Sequence, residues 1–131
     1  MFLIEFTPPQ KNQFAILANQ LIYSDKKLHK NEKELMSLIF EEINLKSSQK
    51  VSMKILPKVL KPEKYFKTRY DRIYLLIELV ALAYADNLYS KEEKLFISDL
   101  GIMLGIKPKS LKKIEIWVKK YNQLIKEIKK I

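Results

Sequence analysis

From Tyr70 to Ala85 almost every position is apolar, with Glu78 the one charge after Asp71 and Arg72, so a helix there is apolar nearly all round. Helices of that kind are surrounded by others, and the pattern predicts a central core helix. Residues 11–24 read differently: Phe14, Leu17, Ala18, Leu21 and Ile22 recur at helical spacing and make one face, leaving Asn19 and Gln20 for water. After Pro108, which suits a first helical turn, a long helix is predicted to about Lys130. It carries Leu111, Ile114, Trp117 or Val118, Tyr121, Leu124 or Ile125, Ile128 and Ile131 on one side and lysines on the other. On that pattern Trp117 and Tyr121 belong to the core. Ser90 and Glu93 have the spacing of a capping box at the start of a helix that ends at Gly105, a residue suited to a left-handed exit. Residues 50–60 are read as one further short helix, cut into a connector by Pro57 and Pro62. The expectation is an all-α fold of about six helices.

Two of these helix pairs are one unit written twice. With an offset of 61 residues, Leu21, Tyr23, Asp25, Lys30, Glu32 and Lys33 fall on Leu82, Tyr84, Asp86, Lys91, Glu93 and Lys94 without a gap. Apolar character agrees at Phe14 and Leu75, Ile16 and Ile77, Leu35 and Phe96, and Ile39 and Leu100. Each copy, about residues 11–45 and 70–106, reads as helix, short turn, helix, and an approximate internal two-fold follows.

Composition narrows the class. A chain of 131 residues suits one domain, and 47% hydrophobic residues supply an ample core. With no cysteine, disulfides, thiolate nucleophiles and zinc thiolate sites are excluded by residue type. Met1 to Phe6 is short for a signal peptide, lacks the basic residues one begins with and runs into Pro8-Pro9, and the longest apolar run is too short to span a membrane, so the expectation is cytoplasmic. The net charge of +10 is concentrated at the end of the chain, where residues 107–131 hold nine lysines against Glu115 and Glu127. Lysine outnumbers arginine 23 to 2, whereas readers of nucleic acid lean on arginine for bidentate contacts.

The run Ala83-Tyr84-Ala85-Asp86-Asn87-Leu88-Tyr89-Ser90-Lys91-Glu92-Glu93, continued by Phe96 to Leu104 and Gly105-Ile106, resembles the signature of the TerB-like (tellurite resistance) family. In that family an alanine-rich helix ends in an Asp-Gly turn, followed by a helix that opens on paired glutamates and closes on Leu-Gly-Ile. The resemblance implies an orthogonal bundle of two pseudo-symmetric helix-turn-helix halves. It also implies a bacterial stress-related module, found alone or fused to other domains including DnaJ-type chaperone parts. By motif position it implies a divalent cation, Ca, Mg or Mn, held by Asp86 and Glu93, with Asp25 and Glu32 as their counterparts in the first copy. Where the family has glycine after the aspartate, this chain has Asn87 and Lys26, and Lys26-Lys27 brings positive charge beside Asp25.

The residues themselves allow plainer uses. Asp25 and Asp86 can shape turns, and Glu32 and Glu93 can close caps, roles found at helix starts in general. His29, the only histidine, stands at a helix start, and no glycine-rich phosphate loop is present, so no catalytic apparatus is visible. Glu78 reads as a carboxylate with one edge in water, or else as a buried acid with a task. Lys112, Lys113, Lys119, Lys120 and Lys126 form either a solvated face or a surface for an anionic partner. The leading expectation is therefore a non-enzymatic interaction module working through a protein partner, and the alternative a binder of nucleic acid or another anionic surface. An acid/base enzyme built on carboxylates is third.

Overall fold

The computed structural model describes residues 5–23, 61–84 and 89–131. Five helices lie within them: α1 (Pro8–Tyr23), α2 (Pro62–Tyr65), α3 (Arg69–Ala83), α4 (Lys91–Met103) and α5 (Pro108–Lys129). No strand occurs among the described residues, and the expected all-α class holds there. The second helix of the first copy, residues 50–60, His29 and the aspartate turns at Asp25 and Asp86 lie outside the described residues.

α3 is the axis of the packing. It touches α1, α4 and α5, and Leu75, Leu76, Leu79 and Leu82 on successive faces are all closed to water. Burial of each leucine contributes roughly 1.5–3 kcal/mol. Glu78 follows its helix inward and is only 6% exposed, where a wet edge was expected; with neighbours on three sides, α3 has no water-facing side at that turn. α1 departs from its one-faced pattern in the same way. Asn19, expected in water, is 8% exposed, and Phe14, Ala15, Leu17, Ala18, Leu21 and Ile22 are buried, because α2, α3 and α4 border α1 on different sides.

The 61-residue offset reappears in the helix starts: α1 begins at Pro8 and α3 at Arg69. Each is preceded by a capping threonine. The Thr68 hydroxyl accepts from the Asp71 backbone N–H at 3.1 Å, and Thr7 exchanges bonds with Gln10, the Thr7 N–H donating to Gln10 Oε1 at 2.9 Å. The equivalent residues Gln10 and Asp71 then meet, Gln10 Nε2 donating to Asp71 Oδ2 at 3.2 Å and to the Tyr65 carbonyl at 2.9 Å. A contact between equivalent positions places both near the axis relating the two helices. Pro62 opens α2, because at the first turn its missing N–H has no bond to lose.

Arg72, in the same first turn of α3, ties this end of the bundle together. Its Nε donates to the Phe66 carbonyl at 2.6 Å, Nη1 to the Leu104 carbonyl at 2.9 Å and Nη2 to the Glu63 carbonyl at 3.4 Å, covering acceptors at the ends of α2 and α4. α4 starts on the expected capping box. The Glu93 N–H donates to Ser90 Oγ at 3.1 Å and the Ser90 N–H to Glu93 Oε1 at 3.0 Å. It ends in a left-handed Gly105 with φ of +73°, and the Ile106 N–H reaches back to the Gly101 carbonyl at 2.8 Å while the Gly105 N–H reaches Ile102 at 3.0 Å. That Schellman turn reverses the chain into α5, which begins at Pro108 as expected.

Candidate interaction surface on the last helix

Of the four carboxylates proposed for a cation, only Glu93 lies among the described residues. It is 1% exposed, and one carboxylate oxygen is engaged by the Ser90 backbone, which is the capping role. Among the described residues no three His, Cys, Asp or Glu side chains converge as metal ligands would.

Tyr84 and Tyr89, on either side of residues 85–88, pack with ring centres 4.9 Å apart. Lys94 Nζ lies 5.3 Å from the centre of the Tyr89 ring, within cation–π range. Glu115 of α5 faces the same pair. Burial first, and then the Glu115 charge, push both phenols above their ordinary value, Tyr89 the further. The cluster ties the end of α3 and the start of α4 to α5, and both tyrosines stay protonated through the physiological range.

α5 is strongly amphipathic, and its faces become clear at about 100° per residue. Leu111, Ile114 and Val118 form the buried ridge against α3 and α4. Beyond Val118 no residue of the helix is buried. Roughly a quarter-turn to one side of the ridge lie Trp117, Tyr121, Leu124 and Ile128. Trp117 is 43% exposed, Leu124 57% and Ile128 63%. Trp117 was expected in the core; Val118 takes that place, and Trp117 stacks instead on Tyr121 at 5.6 Å with the rings 20° from parallel. A little more than a quarter-turn to the other side run Lys112, Lys119 and Lys126, seven residues apart and all exposed. Lys113 and Lys120 lie on the outer face between the two flanks, exposed as well. The lysines thus stand exposed where their spacing puts them, and the apolar arc is wider than the ridge the body covers. The signal was there in the paired alternatives Trp117 or Val118 and Leu124 or Ile125: both members of each pair are apolar, so one must be left over.

α5 therefore offers two distinct surfaces on one helix, an apolar flank and a lysine flank, nearly opposite each other across the buried ridge. No helix among the described residues is long and apolar enough to cross a membrane. Set beside known proteins, the chain matches no family model, no curated sequence and no solved structure.

Proposed function

We propose that the chain is a non-enzymatic helical interaction module of the TerB-like kind, which takes an acidic protein partner on the lysine flank of α5. The observation that carries this reading is that Lys112, Lys119 and Lys126 stand exposed on a helix anchored to the core by other residues, so the array is displayed on a fixed rod. A pre-ordered array of one sign attracts an opposite one without a large ordering cost. Three polar side chains of the interior have structural work that fits the reading: Arg72 serves three backbone carbonyls, Gln10 bridges helix starts and Glu93 caps α4. Nucleic acid is the second reading. The use of Arg72 inside the fold counts against it, because Arg69 is then the one arginine left for bidentate phosphate contact.

The test is fluorescence anisotropy of labelled polyglutamate and of a labelled DNA duplex, with the native chain and with Lys112→Gln, Lys119→Gln, Lys126→Gln combined. The native chain is expected to bind polyglutamate and to lose about tenfold or more in affinity on neutralisation. Equal binding by the triple variant removes the lysine flank from the function, and a strong preference for the duplex turns the reading to nucleic acid. A stress-response role and a cation at Asp86 and Glu93 belong to the same proposal through the resemblance. Calorimetric titration of the metal-stripped chain with Ca²⁺, Mg²⁺ and Mn²⁺, against Asp86→Asn with Glu93→Gln, tests the cation: absence of saturable binding leaves Glu93 as a cap alone.

A further inference from the structure

The apolar flank of α5 is separate from the lysine flank, and its spacing has a consequence of its own. Trp117, Tyr121, Leu124, Ile128 and Ile131 follow one another at steps of four, three, four and three, the spacing of the a and d positions of a two-helix seam. Tyr121 and Ile128 are then a positions and Trp117, Leu124 and Ile131 d positions. The positions flanking the seam on its open side, the g positions, are Lys120 and Glu127, both exposed and of opposite charge.

We propose that α5 pairs with α5 of a second copy of this chain, antiparallel, along this flank. In an antiparallel seam each a residue lies across from a d residue of the partner copy. Trp117 of one copy then meets Ile128 of the other, Tyr121 meets Leu124, and the same contacts repeat about the two-fold. In that one register Lys120 falls beside Glu127 of the second copy and Glu127 beside its Lys120, so the flank is complementary to itself in charge as well as in spacing. A parallel arrangement loses this, because Lys120 would then face Ile125. The antiparallel register also suits two bodies that each carry +10. The buried ridge of each copy lies at Leu111 to Val118, outside most of the overlap, so the bodies sit at opposite ends of the seam, with Ile114 of one copy roughly 25 Å along the axis from Ile114 of the other. The lysine flanks point away from the seam and remain displayed, two per dimer. Four layers make a small interface, below the roughly 1,200–2,000 Å² of stable complexes, so the association is weak and depends on concentration.

Sedimentation equilibrium of the full chain, from about 5 to about 500 µM, reads the outcome directly. The native chain is expected to move from monomer towards twice the monomer mass. Leu124→Lys is expected to stay monomeric over the same range, and its circular dichroism and melting should match the native chain because residue 124 is exposed. Lys120→Glu and Glu127→Lys each replace two attractive pairs by two repulsive ones and should weaken the dimer roughly tenfold. The two together keep the net charge and should restore it. Lys112→Gln, on the opposite flank, should leave the dimer unchanged. Trp117 is the only tryptophan, so its emission reports the seam without labelling. A chain that is monomeric at every concentration overturns the proposal, whatever else then covers Trp117. So does a dimer that survives Leu124→Lys, or a double reversal no better than the singles. None of these outcomes bears on polyglutamate binding by the lysine flank, which stands or falls separately.

Discussion

α3 and the second half of α5 are rich in the same aliphatic side chains and meet opposite fates. Leu75, Leu76, Leu79 and Leu82 of α3 are at most 1% exposed, while Leu124 and Ile128 of α5 keep more than half their surface in water. The difference lies in what separates the aliphatic positions. In α3 apolar residues follow one another, so no rotation of the helix hides them all behind a single neighbour, and the fold places neighbours on three sides. In α5 lysines interrupt the series and hold the helix at the surface, and the body covers only the first part of a wide apolar arc. Apolar content thus says that a surface will be covered; the charges between the apolar residues decide whether the chain's own body does it.

That contrast can be broken from both sides. The largest effect is expected from Leu79→Ala in α3, about 3 kcal/mol lost in denaturant unfolding through lost burial and a residual cavity; a loss under about 1 kcal/mol would deny α3 its central place. Next comes Arg72→Met, which leaves three carbonyls at the ends of α2 and α4 without their donor, at about 2–3 kcal/mol, and native-like melting of this variant would show that water serves those carbonyls as well. Ser90→Ala removes one half of the capping box and should cost about 1 kcal/mol. Smaller still is the contribution of Tyr89, which is read from its loss in alkali. Its folded form keeps the proton where the unfolded chain releases it near pH 10, so the stabilisation is complete below about pH 10 and is lost as pH rises above that. Tyr89→Phe should flatten the alkaline side of the stability profile, and an unchanged profile would mean that other groups govern it. Smallest is Leu124→Ala, within about 0.5 kcal/mol of native, which sharpens the comparison by applying to α5 the truncation that harms α3.

Much of the fold was legible because its signals are local. Pro108, the Ser90 and Glu93 box and the Gly105 exit each act within a few residues, and each stands where the pattern put it. The start of α1 was missed although it was written in the same code: Thr7-Pro8-Pro9-Gln10 is a capping box with prolines in the first turn, and the apolar face drew attention to Lys11 instead. Asn19 and Glu78 were misread for a different reason. Their burial depends on how many neighbours a helix acquires, which one helix's pattern does not contain. The lysines of the candidate surface were readable from charge alone, whereas the apolar flank beside them required knowing that Val118, and not Trp117, turns inward.

Gly105 has one further consequence. It stands at the root of α5, a rod of 22 residues and so about 33 Å long. A rotation of only ~10° at that root swings the far end by ~6 Å, about the width of one helical turn. The packing of Leu111, Ile114 and Val118 against the body prevents such a swing: Gly105 lets the chain turn, and the buried ridge decides where the tip points.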